Sequence, residues 1–577
     1  MINQVAESTI ARFLGIGSAF VAIFVLAGTV FLLPPVTDPV NVTKLFALGG
    51  VAVSAFAVLV AFGMKELWQC SKALMLFAGL FLLAAVNAII NSLAPLTQNI
   101  YGAYGRNTAF LTYLLLIFVI LSAAVLRTNK SFITLIYGLF AAGLVNVIYC
   151  GWVILFGDFI SWNNPYGNIL GTFGNPNFIG AFLGLFAASL VAYTIKQGVR
   201  LELRIGSAII FLVAVYEIID SNAIQGRVVL AAGLAIVGFY LVRSKIENVL
   251  AQIGYVALVA VGGVFALLGA LQIGPLTKYI YKTSVSLRGE YWQAGWNMGS
   301  DHPLTGVGFD TYGDWYRSAR DTQALVLPGP NTVTNAAHNV PFDVFAVGGW
   351  PLFLSYIAIL LLSVIAIVKV TMRARKYDGV FVTLTTAWVC YQLQSIISIN
   401  QIGLAVWGWL FGGALIAYEV ATRPKKTDDT NESQRGKQLS GRTTKPKSSD
   451  VIFSSTLIAG IGAVVGLLIA SPPYSADAKW RSAITSQNVQ KVEEALIPGY
   501  LNPQNSYKYA NAVQLFENSK LPDLALKYAK ISVEFNPNHF DSWKMLYFIS
   551  KSSPEEKALA LENMKRLDPN NPDVTAQ

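Results

Sequence analysis

Charged residues are scarce in this chain of 577 residues. Asp, Glu, Lys and Arg make up 13% of it, about half the share found in a soluble globular domain. With 54% hydrophobic residues and a mean hydropathy of +0.51, that deficit excludes a soluble enzyme and points to a polytopic α-helical membrane protein. Histidine and cysteine are rarer still, three of each. Cys70, Cys150 and Cys390 lie in or beside apolar segments without metal-like spacing, so neither a zinc site nor a disulfide is expected. No Gly-x-x-x-x-Gly-Lys-Ser/Thr loop is present, which argues against ATP-driven work. No Gly-x-Ser-x-Gly elbow marks a serine hydrolase, and no Asp-x-Asp pair falls where a divalent ion would be held near the membrane surface. The expectation is chemistry without a metal or cofactor.

What the chain has in abundance is apolar runs of about twenty residues, a length that suits helices and excludes the short alternating strands of an outer-membrane barrel. They predict about thirteen spans, over 12–33, 44–63, 73–93, 108–126, 132–156, 177–195, 205–220, 228–242, 249–273, 349–369, 379–397, 402–420 and 451–470. The first is too long for a signal-peptide core and lacks a small-residue cleavage site, so it reads as a span. The fold class is therefore all-α, a transmembrane bundle of 12–13 spans.

The net charge of +10 does not mark a nucleic-acid partner, because its positives sit in short loops between spans. Lys65 and Lys72, Arg127 and Lys130, Lys196, Arg200 and Arg204, Arg243 and Lys245, and Arg373, Arg375 and Lys376 all fall on one side if the N-terminus is cytoplasmic. The opposite loops 34–43, 157–176 and 398–401 hold no Lys or Arg. Against that bias, Arg106 and Arg227 stand nearly alone at outer helix ends. Each is read either as a snorkelling side chain or as part of an anion site.

One long outer segment, 274–348, separates two spans, and loops of such length are usually functional. Its aromatics, among them Tyr279, Tyr281, Tyr291, Trp292, Trp296, Tyr312, Trp315 and Tyr316, suit either the membrane interface or stacking on sugar rings. It also carries Arg288, in Ser286-Leu-Arg288-Gly-Glu290, and His338, in Asn335-Ala-Ala-His338-Asn339. Ser286 is expected to cap a helix that begins at Leu287, which would put Arg288 in its first turn beside exposed N–H groups, with Trp292 a turn later. A guanidinium is a permanent, bidentate cation suited to phosphate. One close contact is worth about 4 kcal/mol at an effective dielectric near 20, before desolvation. An imidazole can take the proton of an attacking hydroxyl at neutral pH. His302 reads as a turn residue and His539 as a surface residue.

The remaining segments divide cleanly. Residues 1–421 form the membrane domain, with 274–348 as its outer catalytic loop. Residues 422–450, rich in Lys, Arg, Ser and Thr, read as a disordered cytoplasmic linker. The span 451–470 returns the chain to the outer face, where 471–577 is polar and amphipathic. Asn502-Pro503, Asn536-Pro537 and Asp568-Pro569 recur at spacings of 34 and 32 residues, a period similar to tetratricopeptide repeats. Such repeats bind protein partners, or here steady the membrane domain.

Several of these motifs together resemble the bacterial O-antigen ligase and polymerase superfamily. They are Thr172-Phe-Gly-Asn175-Pro-Asn177, Gln225-Gly-Arg227, Pro303-Leu-Thr-Gly306-Val-Gly308, His338-Asn339 and Gly348-Gly349, over roughly residues 12–420. Tyr101-Gly-Ala-Tyr-Gly-Arg106-Asn is similar to a motif of members with C-terminal repeats. The resemblance implies an inverting, metal-independent glycosyltransferase of the bacterial plasma membrane. It would move a glycan from a polyprenyl-pyrophosphate carrier to an acceptor hydroxyl on the outer face. The acceptor would be lipopolysaccharide core, a growing polysaccharide or a protein Ser/Thr. It also implies that Arg227 and Arg288 bind the pyrophosphate, with Arg106 as a further candidate, and that His338 activates the acceptor. Arg227 follows Gln-Gly here instead of the usual Ser-Arg-Gly order, which leaves its register open. The rival class is a transporter of lipid-linked sugars or anions. That reading expects internal repeats and ionisable residues at the bilayer midplane. A non-catalytic scaffold would need neither the arginines nor the loop.

Overall fold

The computed structural model describes residues 2–27, 33–160, 164–280, 283–424 and 448–575. Among them the secondary structure is helical throughout, with a single isolated β-bridge between Gly499 and Asn502. Each expected span is matched by a helix: Gln4–Ala27, Asn41–Phe62, Lys72–Ile90, Phe110–Ala123, Asn129–Phe156, Pro176–Thr194, Leu201–Asp220, Ile224–Lys245, Val249–Ala270, Val340–Arg373, Gly379–Ile396, Ile402–Ala421 and Ser448–Thr485. Ten of the described helices are long and apolar enough to cross a membrane. The chain is a polytopic helical membrane protein. The linker expected over 422–450 lies outside the described residues from 425 to 447, as does Tyr281.

Helices that cannot gain much from hydrophobic contrast in lipid associate by close backbone approach at small residues. Pro176–Thr194 and Ile224–Lys245 do so at Gly180 and Gly226, where a Cβ on Gly226 would lie 2.6 Å from the Gly180 carbonyl oxygen. Bulky buried residues such as Phe182, Phe186, Trp407 and Phe411 fill the centre of the bundle.

The basic loops gather at one end, where their cations are neutralised. Arg127 meets Glu66 at 3.3 Å and Arg373 meets Glu419 at 2.9 Å. Glu7 accepts hydrogen bonds from the backbone of Arg127 and Thr128 at 2.8 and 2.7 Å, and Arg243 donates to the Thr371 carbonyl at 2.6 Å. The opposite end carries the 274–348 segment and the C-terminal helices.

Among the boundaries that differ from the sequence expectation, two shape the outer face. The last apolar helix runs to Thr485 instead of ending at 470, passing through Pro472 and Pro473. Its far end contributes the buried Trp480 to the C-terminal core, so one continuous helix joins bundle and repeats. Beyond it, helix pairs Ser506–Asn518 with Pro522–Phe535 and Phe540–Phe548 with Pro554–Leu567 pack around Tyr509, Phe516, Trp543 and Met564. The other shift concerns the span expected at 349–369, whose helix begins nine residues earlier at Val340 but breaks at Gly348 and Gly349.

Candidate active site

The break in Val340–Arg373 is where the site is built. Gly349 takes φ +60° with ψ −158°, a conformation open to glycine and strained for other residues. The interruption exposes main-chain groups that the Pro303–Gly308 loop satisfies. Trp350 N–H donates to the Pro303 carbonyl at 2.8 Å, Val307 N–H to Ala346 at 2.9 Å, and Gly308 N–H to Val347 at 3.0 Å. The two strands of backbone lie so close that a Cβ on Gly306 would come within 2.3 Å of the Gly348 nitrogen. Two of the sequence motifs, Pro303-Leu-Thr-Gly306-Val-Gly308 and Gly348-Gly349, are thus halves of one joint.

Immediately before that helix, Asn339 is its N-cap, accepting from Phe342 N–H at 3.1 Å, with Pro341 in the first turn. His338, one residue earlier, is held at φ +55°, a left-handed conformation that costs a non-glycine residue about 1–3 kcal/mol. Its neighbours fix it there. Ala337 N–H donates to the Asp343 carboxylate at 2.6 Å, and the Tyr291 ring lies 5.7 Å from the imidazole, centroid to centroid.

Arg106 reaches the same place from a loop 230 residues away in sequence. Its Nε donates to Asn335 Oδ1 at 2.9 Å, and Nη2 donates to the same oxygen. Asp310, itself left-handed at φ +50°, secures the Arg106 loop by accepting from Ala103 N–H at 3.2 Å, Thr108 N–H at 3.0 Å and the Thr108 hydroxyl at 2.8 Å. Arg288 approaches on Thr283–Asp301. Burial pushes the His338 imidazole down to about 4, and the positive charges of Arg106 and Arg288 push in the same direction. The imidazole is therefore uncharged at neutral pH, with its lone pair open to a proton donor.

Two cavities meet here, and Arg106 lines both. The smaller, about 250 Å3, sinks toward the bundle between Asp310, Asp343, Phe173, Asn175, Asn400 and Gln401. Gln401 Nε2 is buried beside it without a hydrogen-bond partner, a costly state. The Thr172-Phe-Gly-Asn175 motif forms part of its floor. Thr172 is pinned by the buried Asn146 and by Lys44, whose Nζ donates to the Thr172 carbonyl at 2.6 Å. The larger cavity, about 920 Å3, opens above His338 and Tyr291 and is closed on its far side by the C-terminal helices.

His338 and Arg106 share the larger cavity; Arg288 lines neither cavity, but its charge reaches the imidazole. Arg227 is not brought into that group: it stands exposed in the first turn of Ile224–Lys245 and lines neither cavity. The expected Ser286 cap is corrected as well, since the helix opens at Thr283 and Arg288 lies in its second turn, beyond the free N–H groups. His302 is the turn residue it was read to be, accepting from Gly306 N–H at 2.8 Å. His539 is not on open surface: it is half-buried, bonded to the Ser542 hydroxyl at 2.8 Å, and faces the larger cavity. Asp310, Asp343, Asn335 and Lys44 went unnoticed in the sequence, because each is a single polar residue whose partners are distant in the chain. The one available signal was Lys44 and Asp38 near an apolar helix otherwise free of charge.

Among the described residues, no group of three or more His, Cys, Asp or Glu side chains is placed to hold a metal ion. No curated protein matches the chain. Residues 209–357, which span Arg227, Arg288, the Pro303–Gly308 loop, His338 and the glycine break, match the family described as O-antigen ligase. Over that stretch the chain is similar to the O-antigen ligase family, and its ten long apolar helices among the described residues suit a membrane protein of that kind.

Proposed function

We propose that this protein transfers a glycan from a polyprenyl-pyrophosphate carrier to an acceptor hydroxyl, with inversion, at the outer face of a bacterial plasma membrane. The observation that carries the reading is an uncharged histidine on a cavity that Arg106 also lines, with the charge of Arg288 near enough to act on the imidazole. Donor and acceptor can then approach one carbon from opposite sides. The acceptor O–H gives its proton to His338 as its oxygen bonds to the anomeric carbon. The bond from that carbon to the pyrophosphate breaks, and its electron pair leaves on the phosphate oxygen held by Arg106 and Arg288. Guanidinium groups stabilise that developing charge in the way a divalent ion does in other transferases.

The smaller cavity, lined by the polar side chains of Asn175, Asn335, Asn400 and Gln401, is assigned to the carrier's first sugar, with the phosphates beside Arg106. Arg227 is assigned to the carrier's phosphates during entry, at the outer end of the Pro176–Thr194 and Ile224–Lys245 pair. The basic loops at the other end support an orientation with the site facing outward and the N-terminus cytoplasmic. Reconstitution with a labelled lipid-linked oligosaccharide tests the proposal. Transfer should proceed in chelator and release free polyprenyl pyrophosphate, and strict dependence on a divalent ion would contradict it. Mass spectrometry of a deletion strain, with and without complementation, decides among lipopolysaccharide core, polysaccharide and protein acceptors.

A further inference from the structure

Three Asn-Pro or Asp-Pro positions recur in the C-terminal helices, and two of them fasten those helices to the 274–348 segment. Asp568 accepts from Arg320 at 2.8 Å and from Arg317 at 3.0 Å. Asn536 donates to the Asp314 carboxylate at 3.1 Å. The first of the three, Asn502, closes a hairpin instead. Gly499 and Asn502 exchange main-chain hydrogen bonds at 3.2 and 2.9 Å. The Asn502 side-chain amide donates to the Ala495 and Ile497 carbonyls at 3.0 and 2.6 Å. The turn so held presents Ile497, Tyr500 and Leu501 outward, 62%, 67% and 52% exposed. From Ala495 to Tyr507 there is no charged residue, although Glu493, Glu494 and Lys508 flank the stretch. Single apolar side chains on a surface need no explanation, but three on one fixed turn form a patch.

The place where that turn touches the bundle shows what covers it. The Tyr500 hydroxyl donates to the Leu468 carbonyl at 3.3 Å, and Ser471 Oγ donates to the same oxygen at 2.9 Å. That carbonyl has no helical donor, because the residue four positions on is Pro472. Leu468 shares with Ile461 and Val465 an exposed face of the last span, turned away from Gly466 and Ala470, which pack on Gly49. An apolar face of a membrane-crossing helix that points away from its neighbours meets lipid, where a bare carbonyl is costly. The hairpin therefore reaches the lipid-facing side of the last span, near the end of its apolar run. On the other flank Thr97 donates to the Gln504 carbonyl at 3.1 Å, beside the exposed Leu93 and Leu96. The apolar rim thus runs from the connection after Lys72–Ile90, through the hairpin, to the last span. Irregular backbone is tolerated at that depth when its polar groups are satisfied, and Asn502 satisfies them here. Isoleucine and leucine suit the acyl boundary, and a tyrosine with its hydroxyl suits the headgroup level.

We infer that the Ile497–Leu501 hairpin is a membrane foot of the C-terminal helices, its tip seated among the lipids of the leaflet on the His338 side. Depth measurements on the full-length protein in nanodiscs test this. Leu501→Cys and, as a second site, Ile497→Cys are each made on a Cys70→Ser background and labelled with a small fluorophore. The other two cysteines, Cys150 and Cys390, are buried. Both labelled positions are exposed, so folding is spared. Glu562→Cys, exposed on Pro554–Leu567, is the aqueous control. Iodide should quench the hairpin labels about fivefold less than the control label, and lipids with a nitroxide near the headgroup should quench only the hairpin labels. Iodide quenching as strong at the hairpin as at the control overturns the inference. Protection from iodide without quenching by the lipid nitroxide overturns it too, since protein, such as a second copy of this chain, would then cover the tip.

Discussion

The basic-loop end and the site around His338 use arginine in opposite ways. At the end that gathers the basic loops, Arg127, Arg373 and Arg423 are closed off by Glu66 and Glu419 and by backbone carbonyls. At the other end, Arg106 and Arg288 have no carboxylate at ion-pair distance among the described residues, and Arg106 instead bonds a neutral amide beside a cavity. A neutralised guanidinium is a structural tie. One left with charge to spare next to an uncharged imidazole is prepared for an anion that has yet to arrive. Net charge per loop does not separate these cases; the company each side chain keeps does.

That contrast can be broken or sharpened experimentally. The largest effect is expected for His338→Ala, a loss of roughly 10^2–10^4-fold in transfer rate while labelled donor still binds; a rate near wild type would remove the histidine from the mechanism. Arg288→Lys should cost on the order of 10^2-fold, because a point charge does not replace a fork, and single-turnover transfer with saturating donor measures it. Asp568→Asn leaves Arg317 and Arg320 buried without their counter-charge. It should destabilise the docked repeats by about 3–5 kcal/mol, read as a lowered Tm in detergent; an unchanged Tm would mean that something else fastens them.

Smaller effects follow from charge alone. Falling pH protonates an imidazole that already faces two cations, so the basic form persists down to about 4 in the unliganded protein. The acid limb of kcat/KM should lie near that value. The limb of kcat should lie higher, since bound pyrophosphate offsets both arginines. Arg106→Gln should move the kcat/KM limb upward, and a downward move would contradict the electrostatic account. Least of all, Arg127→Lys at the neutralised end should leave transfer within about twofold while lowering Tm, as its bonds to Ala124 and Leu126 carbonyls weaken.

Much of the fold was legible because spans are written locally, as apolar runs ended by charge or by caps such as Asn339 and Asp378. The glycine break was visible as a motif but not as a break, since Val340–Arg373 is apolar on both sides of it. The site was half legible. His338 and Arg288 share the one long outer segment. Arg106 joins them only through Asp310, some 200 residues distant, which carries its loop to the histidine. The docking of the C-terminal helices was not legible at all. It depends on Arg317, Arg320 and Asp568, an interaction across about 250 residues that no periodicity announces.

The joint between Pro303–Gly308 and the broken helix bears on how substrates come and go. Three main-chain hydrogen bonds stitch it, and neither Gly306 nor Gly349 has space for even a methyl group. A seam with no slack cannot swing open and shut with each turnover. Under the proposed function, substrates would instead thread standing passages beside it. Occupancy of those passages, not the motion of a lid, then sets the order of events.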